Sequence, residues 1–256
     1  MRADVLLLEM LGDGDLVFAL RAAGVTPGPR LDATTASLRQ DPGLLEALLD
    51  DPRLYGAVAT DPHILLRVSA YFYFSVLLRR ARRELRGRSF TAEWLAPRRR
   101  VPVFDAPRVA AVLEDRDLTH YLAELLASFV ALRQPGGAPA RTPAFCELSL
   151  DALRRLREHA SGADRFSLDR RLGDVALFLA GVFPDSARGA PELEAWEAES
   201  EQRYRQAARA PLASQCGLSE TLAALASDLH PARKALNFMA DRFLQPLRYN
   251  WFVATT

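Results

Sequence analysis

One lysine, two cysteines and three methionines are all that the 256 residues hold of those three types. Cys146 and Cys216 are too few and too far apart for a disulfide framework or a zinc site. The chain has no G-x-S-x-G elbow, no C-x-x-C, and no histidine close in sequence to either cysteine, so no local motif for nucleophilic catalysis is present. Gly12-Asp13-Gly14 and Gly136-Gly137 lack the flanking strand and the lysine of a phosphate-binding loop. Period-two alternation of useful length is missing, which makes strand-bearing folds a second choice. The apolar start MRADVLLLEMLGDGD is broken by Asp4 and Glu9 and followed by no small-residue cleavage site, so a cytoplasmic location is expected. The longest apolar stretch, Ile64 to Leu78, contains Arg67 and falls short of the roughly 18–20 residues that span a bilayer. No membrane span is expected, and no cofactor or metal motif stands out.

What is present is an ordinary globular mixture, 49% hydrophobic and 25% charged. The net charge of +1 conceals a segregated pattern. Residues 1–61 carry five arginines against ten acids, and residues 62–104 carry ten arginines against Glu84 and Glu93. Arginine makes up 32 of the 33 basic residues, with Lys234 the exception; so uniform a bias reflects genome composition more readily than selection for guanidinium chemistry.

The chain is organised around DPHILLRVSAYFYFSVLLRRARRELRG, residues 61–87. Asp61 and Pro62 suit a helix start and Gly87 a stop. A helix apolar on every side belongs in the centre of a core. Asp41-Pro42, Asp51-Pro52 and Asp61-Pro62, spaced ten apart, predict two helices of about two turns each and then the long one. SFTAEWLAP reads as one helical turn with Phe90, Trp94 and Leu95 inward, and RRRVPVF as a short extended piece. Residues 118–133 form the cleanest amphipathic helix. Ser149 caps the next, Ser167 or Asp169 opens the second strongly apolar helix, Pro191 starts another, and a final pair joins at His230-Pro231. The tail RYNWFVATT is aromatic enough to pack on the body. The fold expected is all-α, a compact multi-helix bundle of about ten to twelve helices around the 62–86 and 168–183 helices, as one domain over residues 1–256. QPGGAPARTP, residues 134–143, is the candidate seam.

Three constellations bear on function. Arg79, Arg80, Arg82, Arg83, Arg86, Arg88, Arg98, Arg99 and Arg100 would bind phosphates if they shared an open face. Against this, the helix dipole favours cations at that end, and the acidic first 61 residues offer internal neutralisation. Asp117, His120 and Glu124 share one face of the 118–133 helix, a ligand-like spacing; the face is the polar one, which predicts a solvated His/Glu pair and no metal. Arg67 and Asp174 are lone charges in apolar surroundings, and a buried charge needs a partner; the economical reading pairs them as a buried ion pair between the two central helices. The leading functional expectation is a non-enzymatic helical binding module that takes a protein partner or a second copy of itself. Nucleic-acid binding through Arg79–Arg100 is one alternative. An enzyme with a site assembled from distant residues (Asp174, Arg67 and His120) is the other.

Overall fold

The Asp-Pro pairs and the apolar runs are the features that set the helices. A computed structural model describes residues 7–26, 28–61, 63–96, 99–130 and 149–244. Among these the protein is all-α, with twelve helices of seven residues or more and one two-stranded hairpin. The chain divides into two compact units: residues 1–87 with 113–128, and residues 88–112 with 129–256. The 134–143 stretch expected as a seam and the aromatic tail lie outside the described residues.

The first unit begins with α1 (Asp13–Ala22) and α2 (Pro29–Gln40). α3 (Pro42–Leu49) and α4 (Pro52–Ala59) start as the Asp-Pro spacing predicts. Asp41 accepts from the N–H groups of Gly43 and Leu44, and Asp51 from that of Arg53. The third pair behaves differently. The Asp61 carboxylate accepts from the His63 N–H at 2.9 Å and from Arg67 at 2.8 Å. Ile64–Leu66 is a 3-10 turn, and the long helix α5 starts only at Ala70, running to Arg86 before Gly87. Ser69 caps it, accepting from the Phe72 N–H, while the buried Asp15 carboxylate takes the Ser69 N–H at 2.7 Å. A carboxylate 54 residues away thus fixes the helix start, a contact no local pattern announces.

α5 is apolar and central in this unit, as expected. Tyr71, Phe72, Phe74, Leu77, Leu78, Ala81 and Leu85 are buried, each large side chain contributing about 1.5–3 kcal/mol on burial. After α6 (Ala106–Val112), which belongs to the second unit, α7 (Arg116–Ser128) packs on α5 and buries Leu118, Leu122, Leu125 and Leu126.

In the second unit, residues expected as a helical turn form a strand. β1 (Thr91–Ala96) pairs antiparallel with β2 (Arg99–Val103), with Thr91 opposite Val103 and Trp94 opposite Arg100. Thr91 and the charged Glu93 point inward on one side, while Trp94, expected inward, is partly buried against Ala180, Ala187 and Leu193, so no apolar alternation marks the strand in sequence. Phe90 and Leu95, expected inward, are exposed.

α8 (Leu150–Glu158) is capped by Ser149 as expected, and α9 (Gly162–Val182) is the second central helix. It starts earlier than the apolar run suggests. Asp169, read as an opener, is buried inside it between Arg157 and Arg203. α10 (Ala190–Ala208) packs along α9, followed by α11 (Pro211–Gln215), α12 (Ser219–Ser227) and α13 (Leu229–Met239). His230-Pro231 lies in the first turn of α13 rather than between helices. A one-turn π segment, Ala240–Leu244, ends the described chain. Two glycines permit the close packing of α9. A Cβ on Gly173 would stand 2.8 Å from the Tyr204 ring, and one on Gly181 would stand 2.8 Å from Leu236. Among the described residues no helix is long and apolar enough to cross a membrane.

Candidate functional site

The arginines of α5 do not form an open face. Arg79 is buried and donates to Glu46 at 2.6 Å and to the Ser75 carbonyl. Arg82 pairs with Asp50 at 2.7 Å, and Arg83 donates to the Asp50 carbonyl oxygen. Arg80 pairs with Glu84 and stacks over Tyr55, and Arg86 grips Glu114. The acids of the first 61 residues therefore neutralise much of this cluster inside the first unit. Arg98 lies outside the described residues; Arg99 and Arg100 are exposed on β2.

Arg67 and Asp174, read as an ion pair, lie in different units, and each has partners within its own. Arg67 is half exposed, paired with Asp61 and stacked over Phe18 at 5.5 Å. Asp174 accepts from the buried Tyr204 hydroxyl at 2.9 Å, with Arg170 at 3.8 Å one turn away. Arg67 sits outside the long helix, near the surface, and the Tyr204 hydroxyl gives the buried Asp174 a donor.

His120 overturns the solvated reading. It is 1% exposed. Its Nδ1 lies 2.5 Å from the Tyr71 hydroxyl, and its Nε2 lies 2.7 Å from Glu46 Oε1. A neutral ring fits both contacts, with Tyr71 donating to Nδ1 and Nε2–H donating to Glu46. Glu46 Oε2 takes Arg79, closing a buried chain Tyr71–His120–Glu46–Arg79 across α3, α5 and α7. Burial works to raise the Glu46 pKa, but the His120 hydrogen bond and the Arg79 charge outweigh it and pull it down to about 2. Burial pushes the Tyr71 hydroxyl well above its usual value. Both ring nitrogens are engaged, so His120 offers no lone pair to a metal alongside Asp117 and Glu124. The chain is sealed in the core, which suits it to hold three helices in register.

The second unit holds a more open arrangement. A cleft of about 230 Å³ lies where β1 and β2 meet the end of α13. Its cationic lining is Arg88, Arg100, Lys234 and Arg242, against the single acid Asp241. Phe90, Phe238, Thr91, Ala92 and Asn237 complete the wall. The sole lysine is the buried floor, its ammonium donating to Asp105 at 2.5 Å with Glu93 at 3.3 Å. Asp105 also accepts from Thr91. Burial would raise the Asp105 pKa, and these two hydrogen bonds more than reverse it. Arg100 lies 3.7 Å over the Trp94 ring and makes two hydrogen bonds to Asp241, at 2.7 and 3.1 Å. Arg88 lies over the Phe238 ring at 5.1 Å.

Behind the floor is a second buried cation, Arg233, which bonds Glu93, Glu197 and Asn237. His230, solitary in sequence, lies within 3.5 Å of both Glu93 and Glu197. Burial acts to raise the Glu197 pKa, while His230 and Arg233 draw it below the usual range. The cluster is built from β1, α10 and α13, so spacing in sequence carried no sign of it. Lys234 was the one available signal, a single lysine among 32 arginines.

Another cleft, in the first unit and of about 490 Å³, is lined by Val17, Phe18, Arg21, Ala57 and Arg67 among others. Of the three residues considered for an assembled active site, Arg67 lines this cleft, whereas His120 and Asp174 are buried and engaged.

Among the described residues of the second unit, three of the four exposed large apolar side chains lie on or beside the hairpin, and the fourth, Leu156, is on α8. Phe104 is 80% and Phe90 46% exposed, and their rings meet edge to face at 6.2 Å. Leu95 is exposed on β1. Compared with protein families, with curated proteins and with solved structures, the chain finds no match.

Proposed function

We propose that the protein is a non-enzymatic binding module whose working surface is the hairpin cleft of the second unit, and that the cleft receives an acidic segment of a protein partner. The observation that carries this reading is the lining: Arg88, Arg100 and Arg242 stand around about 230 Å³ over a Lys234 floor that Asp105 and Glu93 neutralise, with Asp241 on Arg100 and the exposed Phe90–Phe104 pair beside it. Arginine and aromatic side chains are the groups that anchor protein interfaces, and a positive patch selects a negative partner. The buried floor supports this use. Lys234 and Arg233 are held by carboxylates from behind, so the cleft keeps its shape whether filled or empty.

Selection from a random peptide display library tests the reading. The sequences enriched should carry Asp or Glu beside an apolar residue. Their binding should weaken at least tenfold in Arg88→Glu and Phe104→Asp variants, a loss of about 1.4 kcal/mol or more. Enrichment without acids, or binding indifferent to both substitutions, would refute it.

Nucleic acid is the second reading, favoured by exposed Arg99 and Arg100 next to Trp94. It predicts binding of single-stranded RNA or a short DNA duplex that weakens steeply with salt and is lost in Arg99→Glu/Arg100→Glu.

A further inference from the structure

The cleft of the first unit is separate from the hairpin, and we infer that it binds a small carboxylic acid with an apolar body, an aryl or branched-chain acid. It is bounded by α1, by Ala57 of α4 and by Arg67, and holds about 490 Å³. That volume falls within the roughly 300–1,000 Å³ of sites that enclose small ligands. Its apolar walls are Val17, Phe18, Ala22 and Ala57, all half-buried. The Phe18 ring is braced edge to face on the buried Phe72 at 5.8 Å, so the largest wall is fixed before a ligand arrives.

Charge gives the headgroup. Arg67 lies over Phe18 at 5.5 Å and donates to Asp61 at 2.8 Å, so its charge is already balanced. Arg21 is exposed one turn beyond Val17 and Phe18 on the same face of α1. Its guanidinium makes no ion pair or hydrogen bond among the described residues, and no acid among them lines the cleft. One unbalanced guanidinium calls for one negative charge, and a carboxylate accepts two parallel N–H bonds from it. The walls call for the apolar body. An Asp or Glu side chain of a protein partner brings only a short methylene stem and would leave Val17, Phe18 and Ala57 uncovered, whereas a ring or branched chain removes them from water.

The test titrates the full chain by calorimetry, at neutral pH and constant ionic strength, with 3-phenylpropionate and 4-methylpentanoate. The comparison probes are 3-phenylpropanamide, acetate and the peptide acetyl-Leu-Glu-Leu-amide. Hydrogen exchange of the 13–22 peptide locates the site. At least one of the two acids should bind at least tenfold tighter than each comparison probe and should slow exchange at 13–22. Arg21→Gln should abolish the advantage of 3-phenylpropionate over its amide. Ala57→Leu, which fills the cleft without touching a charge, should weaken the acids at least tenfold. Arg155→Gln, an exposed position on α8, should change neither. Circular dichroism confirms that each variant is folded. Equal binding of acid and amide, or failure of both acids to bind at about 10 mM, would overturn the inference. So would acetate binding as tightly as the acids, which would leave a bare anion site. Tighter binding of the peptide would overturn it in favour of an acidic protein segment. Slowed exchange at 99–104 in place of 13–22 would also overturn it. The hairpin reading has its own variants, Arg88→Glu and Phe104→Asp, so either reading can fail alone.

Discussion

Replacing Glu46 should cost the first unit more than any surface ion pair could, and the size of the loss follows from the buried chain. Glu46 is held at a pKa of about 2 against an ordinary 4.5, a difference worth about 3 kcal/mol at neutral pH. Each of its oxygens serves one neighbour: Oε1 takes His120 and Oε2 takes Arg79. In a Glu46→Gln variant the new amide keeps its two contacts if the His120 ring changes tautomer, its NH2 donating to Nε2, but Nδ1–H then donates to the Tyr71 oxygen and the Tyr71 hydroxyl loses that acceptor. The charge and that bond are lost together, and the cost should be about 3 kcal/mol or more. Glu46→Leu removes the acceptors as well and leaves the Arg79 guanidinium, 2% exposed, with the Ser75 carbonyl and the more distant Asp50 carboxylate at 3.7 Å; about 3 kcal/mol or more is expected. Adding Arg79→Met should restore part of that loss, since an apolar pair leaves no buried charge to solvate. Residues 1–87 and 113–128, the first unit, hold no tryptophan, so tryptophan fluorescence would miss the effect. Hydrogen exchange of the 70–86 peptide reads it directly. Protection there should fall by about two to three orders of magnitude in Glu46→Leu and partly recover in the double variant. A loss below about 1 kcal/mol, or strictly additive effects of the two substitutions, would refute the argument that the pair is coupled and desolvated.

Acid should destabilise the protein in a defined window. Glu46, Asp105, Glu197 and Glu199 all have folded-state pKa values below their ordinary ones, so the stability they supply is complete above the unfolded values, 3.8 for aspartate and 4.5 for glutamate. It is lost as pH falls from there towards about 2, and urea midpoints that stay flat from about pH 5 to about pH 2.5 would contradict this. Gly173→Ala should destabilise the second unit by about 1–3 kcal/mol, because the new methyl meets the rigid, buried Tyr204 ring, itself held by Asp174. An unchanged tryptophan-detected denaturation curve would show that α9 and α10 separate at no cost. Asp41→Ala should cost about 1 kcal/mol through loss of the α3 cap, read as faster exchange of amides 43–46, while Asp41→Asn stays near wild type.

The sequence by itself determined the helical class and most helix starts, because those depend on neighbours in the chain. Asp41, Asp51 and Ser149 cap where they stand, Gly87 stops α5, and the apolar runs of α5 and α9 demand central positions. Tertiary structure decided the rest, wherever a charged group found a partner far along the chain. Asp15 set the start of α5 from 54 residues away. Glu46, 74 residues from His120, turned a helix face that reads as polar into buried structure. Arg233, 140 residues away, and its neighbour Lys234 pulled Glu93 inward, making a strand where local pattern suggests a helical turn. Hydrophobic periodicity is local and legible, whereas the desolvation of a charge depends on what the folded chain brings beside it. The cationic cleft belongs to that second kind: its arginines are visible in the sequence, and their meeting around one lysine is not.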